Sequence, residues 1–192
     1  MQTQSTATLC DQIVPRGRAW IDGALVVGAS LLIALSAQVV VPLPYSPVPV
    51  TGQTFAVLLA GALLGSRRGL LAVAAYLAQG AAGLPVFAGG TGGAFHFLGP
   101  TGGYLLGFLP AAWLVGRLAE AGWDRRLWSA AAAMAAGNML ILACGAAWLL
   151  PFAGADGAVA AGILPFLPGD LLKVALAAAL LPTGWKALTA PR

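Results

Sequence analysis

The chain has little charge. Only 8% of its 192 residues are Asp, Glu, Lys or Arg, against about 25% in an ordinary soluble domain. Such a chain cannot cover its own surface with solvated groups, so the bilayer is the solvent that suits it. Histidine is represented once, by His96, and cysteine twice, by Cys10 and Cys144. These numbers exclude a multi-ligand metal cluster. One cysteine in the N-terminal tail and one in mid-span argue against a disulfide. No Gly-Lys-Ser/Thr follows the glycine-rich stretch, which excludes ATP hydrolysis. There is no His-Glu-x-x-His, the six acidic residues are scattered, and no serine sits in a nucleophile motif with a relay to His96. A membrane-embedded transferase or protease is therefore poorly supported. A channel is poorly supported too, since no ring of charges or repeated filter is present. The first 19 residues are polar and hold no apolar core with a cleavage site, so no signal peptide is expected.

Apolar residues are abundant. They make up 59% of the chain, with mean hydropathy +0.87. They fall in six runs, at about 20–41, 53–64, 69–82, 102–118, 127–150 and 168–182. The second and third are short for a bilayer core of about 30 Å, which needs roughly 20 residues. Nine of the 10 Lys and Arg lie in alternate breaks between runs: Arg16 and Arg18, then Arg67 and Arg68, then Arg117, Arg125 and Arg126, then Lys186 and Arg192. The other breaks hold none. The positive-inside rule gives this distribution when both termini are cytoplasmic and the number of spans is even. The expectation is an all-α integral membrane protein of one domain. It has a cytoplasmic tail at 1–19, a six-helix membrane domain at 20–185 and a second cytoplasmic tail at 186–192. The net charge of +4 is explained by loop anchoring, so nucleic acid is not needed as a partner.

The breaks expected outside are unusual. Between the first two runs, Pro42, Pro44, Pro47 and Pro49 fall within eight residues and impose a stiff extended loop. Between the third and fourth, eight glycines lie between Gly83 and Gly103 among Phe87, Phe95, Phe97 and Tyr104. A loop this apolar reads as folded in, since irregular backbone at membrane depth must be buried in protein or line a cavity. In the last outer break, 157–164 reads as a short helix dipping back.

The tenth cation, Lys173, lies inside an apolar run, three residues after Asp170. On a helix the two share a face. One reading is a first-turn Asp that caps the helix and neutralises a snorkelling Lys. The other is a pair facing an outward-opening cavity, Asp170 accepting from ligand N–H groups and Lys173 donating. Asn138 is a mid-span amide, read either as an interhelical hydrogen bond or as a ligand contact. Gln53 opens the second run, as a brace or a contact. Tyr76 carries a mid-span hydroxyl that needs a partner. The backbone N–H groups of Gly89, Gly90 and Thr91 are available as an anion nest, with plain flexibility as the alternative. His96, alone among aromatics, reads as structural. Asp22 stands where a carboxylate caps the first helix. Ala24 with Gly28, and Ser30 with Ala34, have the small-xxx-small spacing of close helix packing in lipid.

Five motifs in order, namely Pro47-Val-Pro-Val-Thr-Gly-Gln-Thr, Leu63-Leu-Gly-Ser-Arg-Arg-Gly, Gly83-Leu-Pro-Val-Phe-Ala-Gly-Gly, Gly99-Pro-Thr-Gly-Gly-Tyr-Leu-x-Gly-Phe and Pro165-Phe-x-Pro-Gly-Asp-x-x-Lys, closely resemble the BioY family. These are the biotin-binding S components of energy-coupling factor (ECF) transporters. The resemblance runs from Trp20 to Pro182. It implies six helices around an outward-facing biotin site capped by the first and third loops, in the cell membrane, with no cofactor. It implies that Asp170 and Lys173 contact the vitamin. Where relatives place a polar residue after Leu-Pro-Val-Phe, this chain offers only backbone at Gly89 and Gly90, or Thr91. Phe87, Tyr104 and Trp148 are the expected walls for the thiolane and valeryl chain, and the loop N–H groups are expected near the vitamin's carboxylate. The small-residue face of the first helix, Ala24, Gly28, Ser30 and Ala34, would dock a coupling membrane subunit (T component), which works with separate ATPase subunits. The alternative is a stand-alone facilitator or channel for a small neutral solute.

Overall fold

The structure, a computed structural model, describes residues 7–14 and 18–189. Arg16 and Arg192 lie outside the described residues. A short helix, α1 (Leu9–Ile13), precedes α2 (Ala19–Ser36). A two-stranded antiparallel hairpin follows, β1 (Val40–Val41) with β2 (Val50–Thr51), pairing Val40 with Thr51 and Val41 with Val50. Its loop holds the four prolines, which cannot donate to a ladder. The remaining helices are α3 (Gln53–Ala81), α4 (Gly102–Glu120), α5 (Leu127–Gly162) and α6 (Leu167–Thr189).

Two of these helices are not straight. Gly65 in α3 has φ 85° and ψ 177°, and Gly154 in α5 has φ 69° and ψ 178°. Both conformations belong to a region open essentially to glycine alone, and both reverse the chain. A Cβ on Gly69 would lie 2.8 Å from the Cα of Gly61, whereas a straight helix separates residues so spaced by about 12 Å. The two short runs of the sequence are thus the antiparallel arms of α3. A Cβ on Gly162 would likewise lie 3.9 Å from the Cα of Ala146, against about 24 Å in a straight helix. The second arm of α5, after Gly154, is the dipping helix expected at 157–164, begun a few residues earlier.

By length and composition, four helices among the described residues could cross a membrane: Ala19–Ser36, Gln53–Ala81, Leu127–Gly162 and Leu167–Leu188. The helix α4, which carries Pro110, Arg117 and Glu120, is not one of them. The exposed surface is apolar where that of a soluble bundle is polar, and several polar groups are inside. On α2, Leu35 is 69% exposed while Ser30 is fully buried; on α6, Leu171 is 71% exposed while Asp170 is 4% exposed. Contiguous exposed leucine is tolerable only against an apolar solvent. A multi-pass membrane protein is the architecture that satisfies it.

The loop cations gather at one end. Arg68 pairs with Asp11 at 2.9 Å and with Asp22 at 2.6 Å. Asp22 thus lies in the first turn of α2 but serves as an ion-pair partner rather than as the cap, a position held by Arg18 without a side-chain cap bond. The indole of Trp185 on α6 donates to Asp124 at 2.6 Å, and Arg125 lies 4.6 Å over the same ring. Burial pushes the Asp124 carboxyl up from its ordinary range, and the Trp185 bond pulls against that shift.

The reversal at Gly65 is closed by α4. Glu120 Oε1 accepts from the backbone N–H and the hydroxyl of Ser66, both at 2.8 Å, capping the second arm of α3. A Cβ at Gly65 would stand 2.7 Å from that same oxygen. Gly65→Ala therefore combines backbone strain with loss of the cap, and should destabilise by about 2–4 kcal/mol. Glu120→Ala should cost about 1.5–3 kcal/mol. Thermal unfolding in detergent checks both, and a melting temperature unchanged in either variant would contradict this account of the turn.

Candidate functional site

The end opposite the charged cluster holds a cavity of about 440 Å³. Its wall draws on the starts of three helices, the interior of α5 and two loops. The start of α3 supplies Gln53 and Thr54, the start of α4 supplies Tyr104, Leu105 and Phe108, and the start of α6 supplies Asp170 and Lys173. From α5 come Ile141 and Leu142; from the proline loop, Pro47 and Val48; from the glycine loop, Phe87, Thr91, Phe95 and His96.

The polar groups are concentrated around Asp170. It lies in the first turn of α6, after Pro168 and Gly169, where the helix dipole favours a negative charge. Its Oδ2 accepts from the Asn138 amide at 2.9 Å, and its Oδ1 accepts from Lys173 Nζ at 3.2 Å. Lys173 also donates to the Thr54 hydroxyl at 2.8 Å. Helices α3, α5 and α6 thereby meet in one hydrogen-bonded chain. The ammonium does not snorkel to the surface: the Lys173 side chain is only 17% exposed.

The two loops are folded in and tied down. Phe87 N donates to Thr91 O at 2.9 Å, and Gly93 N to Gly80 O at 2.7 Å. Gln38 Nε2 donates to Phe87 O at 3.3 Å, which fastens the glycine loop to the end of α2. The Ser46 hydroxyl donates to Ala161 O at 2.7 Å, which fastens the proline loop to the return arm of α5. Two short turns, Ala88–Gly90 and Ala94–Phe97, order the glycine loop. Phe87 lies at the centre of an aromatic group, edge-on to Tyr76 (5.6 Å), His96 (5.4 Å) and Phe97 (5.9 Å). A second pair, Tyr104 and Phe166, stacks at 5.8 Å. The Tyr104 hydroxyl donates to Gly162 O at 2.6 Å, anchoring the return arm of α5.

Of the residues singled out in the sequence, Asp170, Lys173, Gln53, Thr91, Phe87 and Tyr104 share the cavity wall. Five others are set back from it. Asn138 is buried one step behind, on Asp170. Tyr76 lies behind Phe87, its hydroxyl buried without a partner. Trp148 braces the loop from outside, its indole donating to Gly99 O at 3.1 Å. Gly89 and Gly90 form an exposed turn with positive φ. Sequence reasoning missed Thr54, Phe108 and Phe166. Thr54 follows Gln53 directly and was hidden by its ordinary chemistry; only the fold brings it within reach of Lys173. The stripe on α2 divides: Ala24 and Gly28 are exposed, with open space beside Gly28. Ser30 and Ala34 face α3 instead, and Ser30 accepts from Gln79 Nε2 at 3.1 Å.

Comparison with known proteins agrees with this geometry. The solved crystal structure of the S-component for biotin from an ECF-type ABC transporter superposes with a TM-score of 0.80 at 27% identity, covering 90% of this chain and 95% of that one. The biotin transporter BioY of Rhodobacter capsulatus is 42% identical over 163 residues, covering 76% of this chain and 83% of its own length. The biotin transporter BioY of Thermotoga maritima is 44% identical over 149 residues, covering 77% and 85%. A probable biotin transporter BioY of Pyrococcus horikoshii is 42% identical over 146 residues, covering 76% and 85%. With the BioY family model matching residues 7–190, almost from one end to the other, the chain belongs to the BioY family.

Proposed function

We propose that this chain is the S component of an ECF-type biotin transporter, binding the vitamin in the cavity beneath the two outer loops. It is no enzyme and takes no cofactor; biotin is the cargo. The observation that carries the reading is the unused bonding capacity of the Asp170–Lys173 pair. A carboxylate offers about four lone-pair sites and an ammonium three N–H groups. Asn138 and Lys173 occupy two of the former, and Thr54 and Asp170 take two of the latter. What remains is two acceptor sites and one donor. A ureido ring presents two N–H donors and one carbonyl acceptor, the complement of that remainder. The volume of about 440 Å³ is in the range of small-molecule sites. Phe87, Tyr104, Phe108 and Phe166 supply apolar walls for the thiolane and valeryl chain.

Six crossings of the cell membrane, with both termini cytoplasmic, is the reading that the reversal at Gly65 and the charges support. The reversal at Gly65 divides α3 into two spans, and α4 adds another to α2, α5 and α6. The cluster of Arg68, Asp11, Asp22, Arg125 and Trp185 takes the cytoplasmic side by the positive-inside rule, which turns the cavity outward. A T component and ATPase subunits would supply the energy. The exposed Ala24 and Gly28 of α2 suit close approach of a partner helix. The stand-alone facilitator is not favoured.

Isothermal titration of biotin into the detergent-purified protein tests the site. Asp170→Asn and Lys173→Ala should each weaken binding at least about tenfold, or 1.4 kcal/mol, because each strands a buried partner. Near-native affinity in both variants would sink the assignment. The docking face separates binding from transport: Gly28→Leu should leave biotin affinity unchanged and reduce biotin uptake by cells carrying the T component and ATPases at least about tenfold. Normal uptake by that variant would exclude this face as the partner surface.

A further inference from the structure

Gln53 lines the cavity without a role so far. It opens α3, and its backbone N–H is committed, donating to the Thr51 hydroxyl at 3.4 Å. Its side-chain amide has no hydrogen-bond partner among the described residues, and neither polar atom of that amide is closed off from solvent. The residue as a whole is only 5% exposed, so that access is through the cavity it lines. A primary amide offers two N–H donors and an acceptor oxygen, all of them unspent here. A buried polar group without a partner is costly, and on a cavity wall a ligand can supply the missing bond.

The neighbours of Gln53 set it beside the polar floor. Thr54, the next residue, accepts from Lys173. Val50, three residues earlier, meets the start of α6: a Cβ on Gly169 would lie 3.7 Å from Val50 Cγ1, and Gly169 directly precedes Asp170. The segment 50–54 thus runs along the turn of α6 that carries Asp170 and Lys173. The other buried polar side chains of the wall are already bonded to protein. Asp170 holds Asn138 and Lys173, and the Tyr104 hydroxyl is given to Gly162 O. Among the buried side chains described on this wall, Gln53 alone has its whole capacity unspent.

The ureido ring still lacks one bond. Asp170 keeps two acceptor sites for its N–H groups, and Lys173 keeps one N–H for its carbonyl. A carbonyl oxygen accepts two hydrogen bonds, so one of its lone pairs is left over. We infer that Gln53 Nε2 donates to that lone pair, so that the ring carbonyl is held by Lys173 from α6 and by Gln53 from α3. This rests on the biotin reading above. It makes Gln53 a specificity-determining residue, because two donors converging on one point of the ring select an acceptor there. It also gives the first turn of α3 two tasks in adjacent residues: Thr54 positions the ammonium and Gln53 meets the ligand.

The test is isothermal titration of biotin and of iminobiotin into the detergent-purified wild type, Gln53→Glu and Gln53→Leu. In iminobiotin a guanidinium replaces the ureido group, so an N–H donor stands where biotin has its carbonyl acceptor. Gln53→Glu keeps the side-chain shape and puts a carboxylate oxygen in place of the N–H donor. In that variant biotin should weaken at least about tenfold while iminobiotin binds no more weakly than to wild type, so the preference for biotin narrows by at least about tenfold. In Gln53→Leu, which adds no charge, biotin should weaken about tenfold. Wild-type biotin affinity in Gln53→Leu would overturn the inference, since any shift in Gln53→Glu would then be a charge acting at a distance. Equal weakening of both compounds in Gln53→Glu, the mark of a bracing role, would overturn it as well. Either result leaves the biotin reading standing as long as wild type binds biotin. Wild type that binds neither compound rejects both.

Discussion

A carboxylate 4% exposed in a protein whose outer surface is leucine has to be held from several sides. Ionisable groups inside a membrane are costly unless they are paired. Asp170 meets that requirement with a donor from α5, a cation one turn along α6 and, through that cation, a hydroxyl from α3. The same bonds that make the charge tolerable fix the relative positions of three helices. They also fix the floor of the cavity, so stability and site are one construction. The few polar groups of the spans are held inside because the outside cannot take them.

The second constraint is glycine in a conformation that other residues avoid. Gly65 and Gly154 adopt nearly the same unusual dihedrals. One turns the chain at the charged end and is closed by Glu120; the other turns it near the cavity and is followed by an arm held by the Tyr104 hydroxyl. In both cases a side chain from α4 secures the segment after the turn. Helix α4 is therefore the internal brace. Its own solvent is mostly protein: Ala111, Ala112 and Val115 are fully buried.

Much of this was legible in the sequence because the bilayer imposes coarse rules. Alternating Arg-bearing breaks, the Asp170 and Lys173 pair in an apolar run and the apolar glycine loop each violate what lipid or water alone would accept, so each pointed to structure. The short runs at 53–64 and 69–82 read correctly as separate segments, while the return arm of α5 was visible only as a possibility around Gly157. What could not be read was pairing across long separations. Thr54 looks like any threonine until α6 brings Lys173 beside it. Trp148 reads as an apolar wall and Tyr76 as a mid-span hydroxyl in need of a partner, yet the fold ties Trp148 to Gly99 and sets Tyr76 behind Phe87. Periodicity gives the face of a helix, but not which neighbour that face meets. For the same reason Ser30 and Ala34 looked equivalent to Ala24 and Gly28.

The fastening of the two loops is separate from the polar floor. The glycine loop is tied by Gln38 and Trp148, and the proline loop by Ser46. Each tie is a single neutral hydrogen bond worth about 1 kcal/mol. None of the three involves Asp170, Lys173 or Thr54. The mouth of the cavity can therefore loosen while its floor stays bonded.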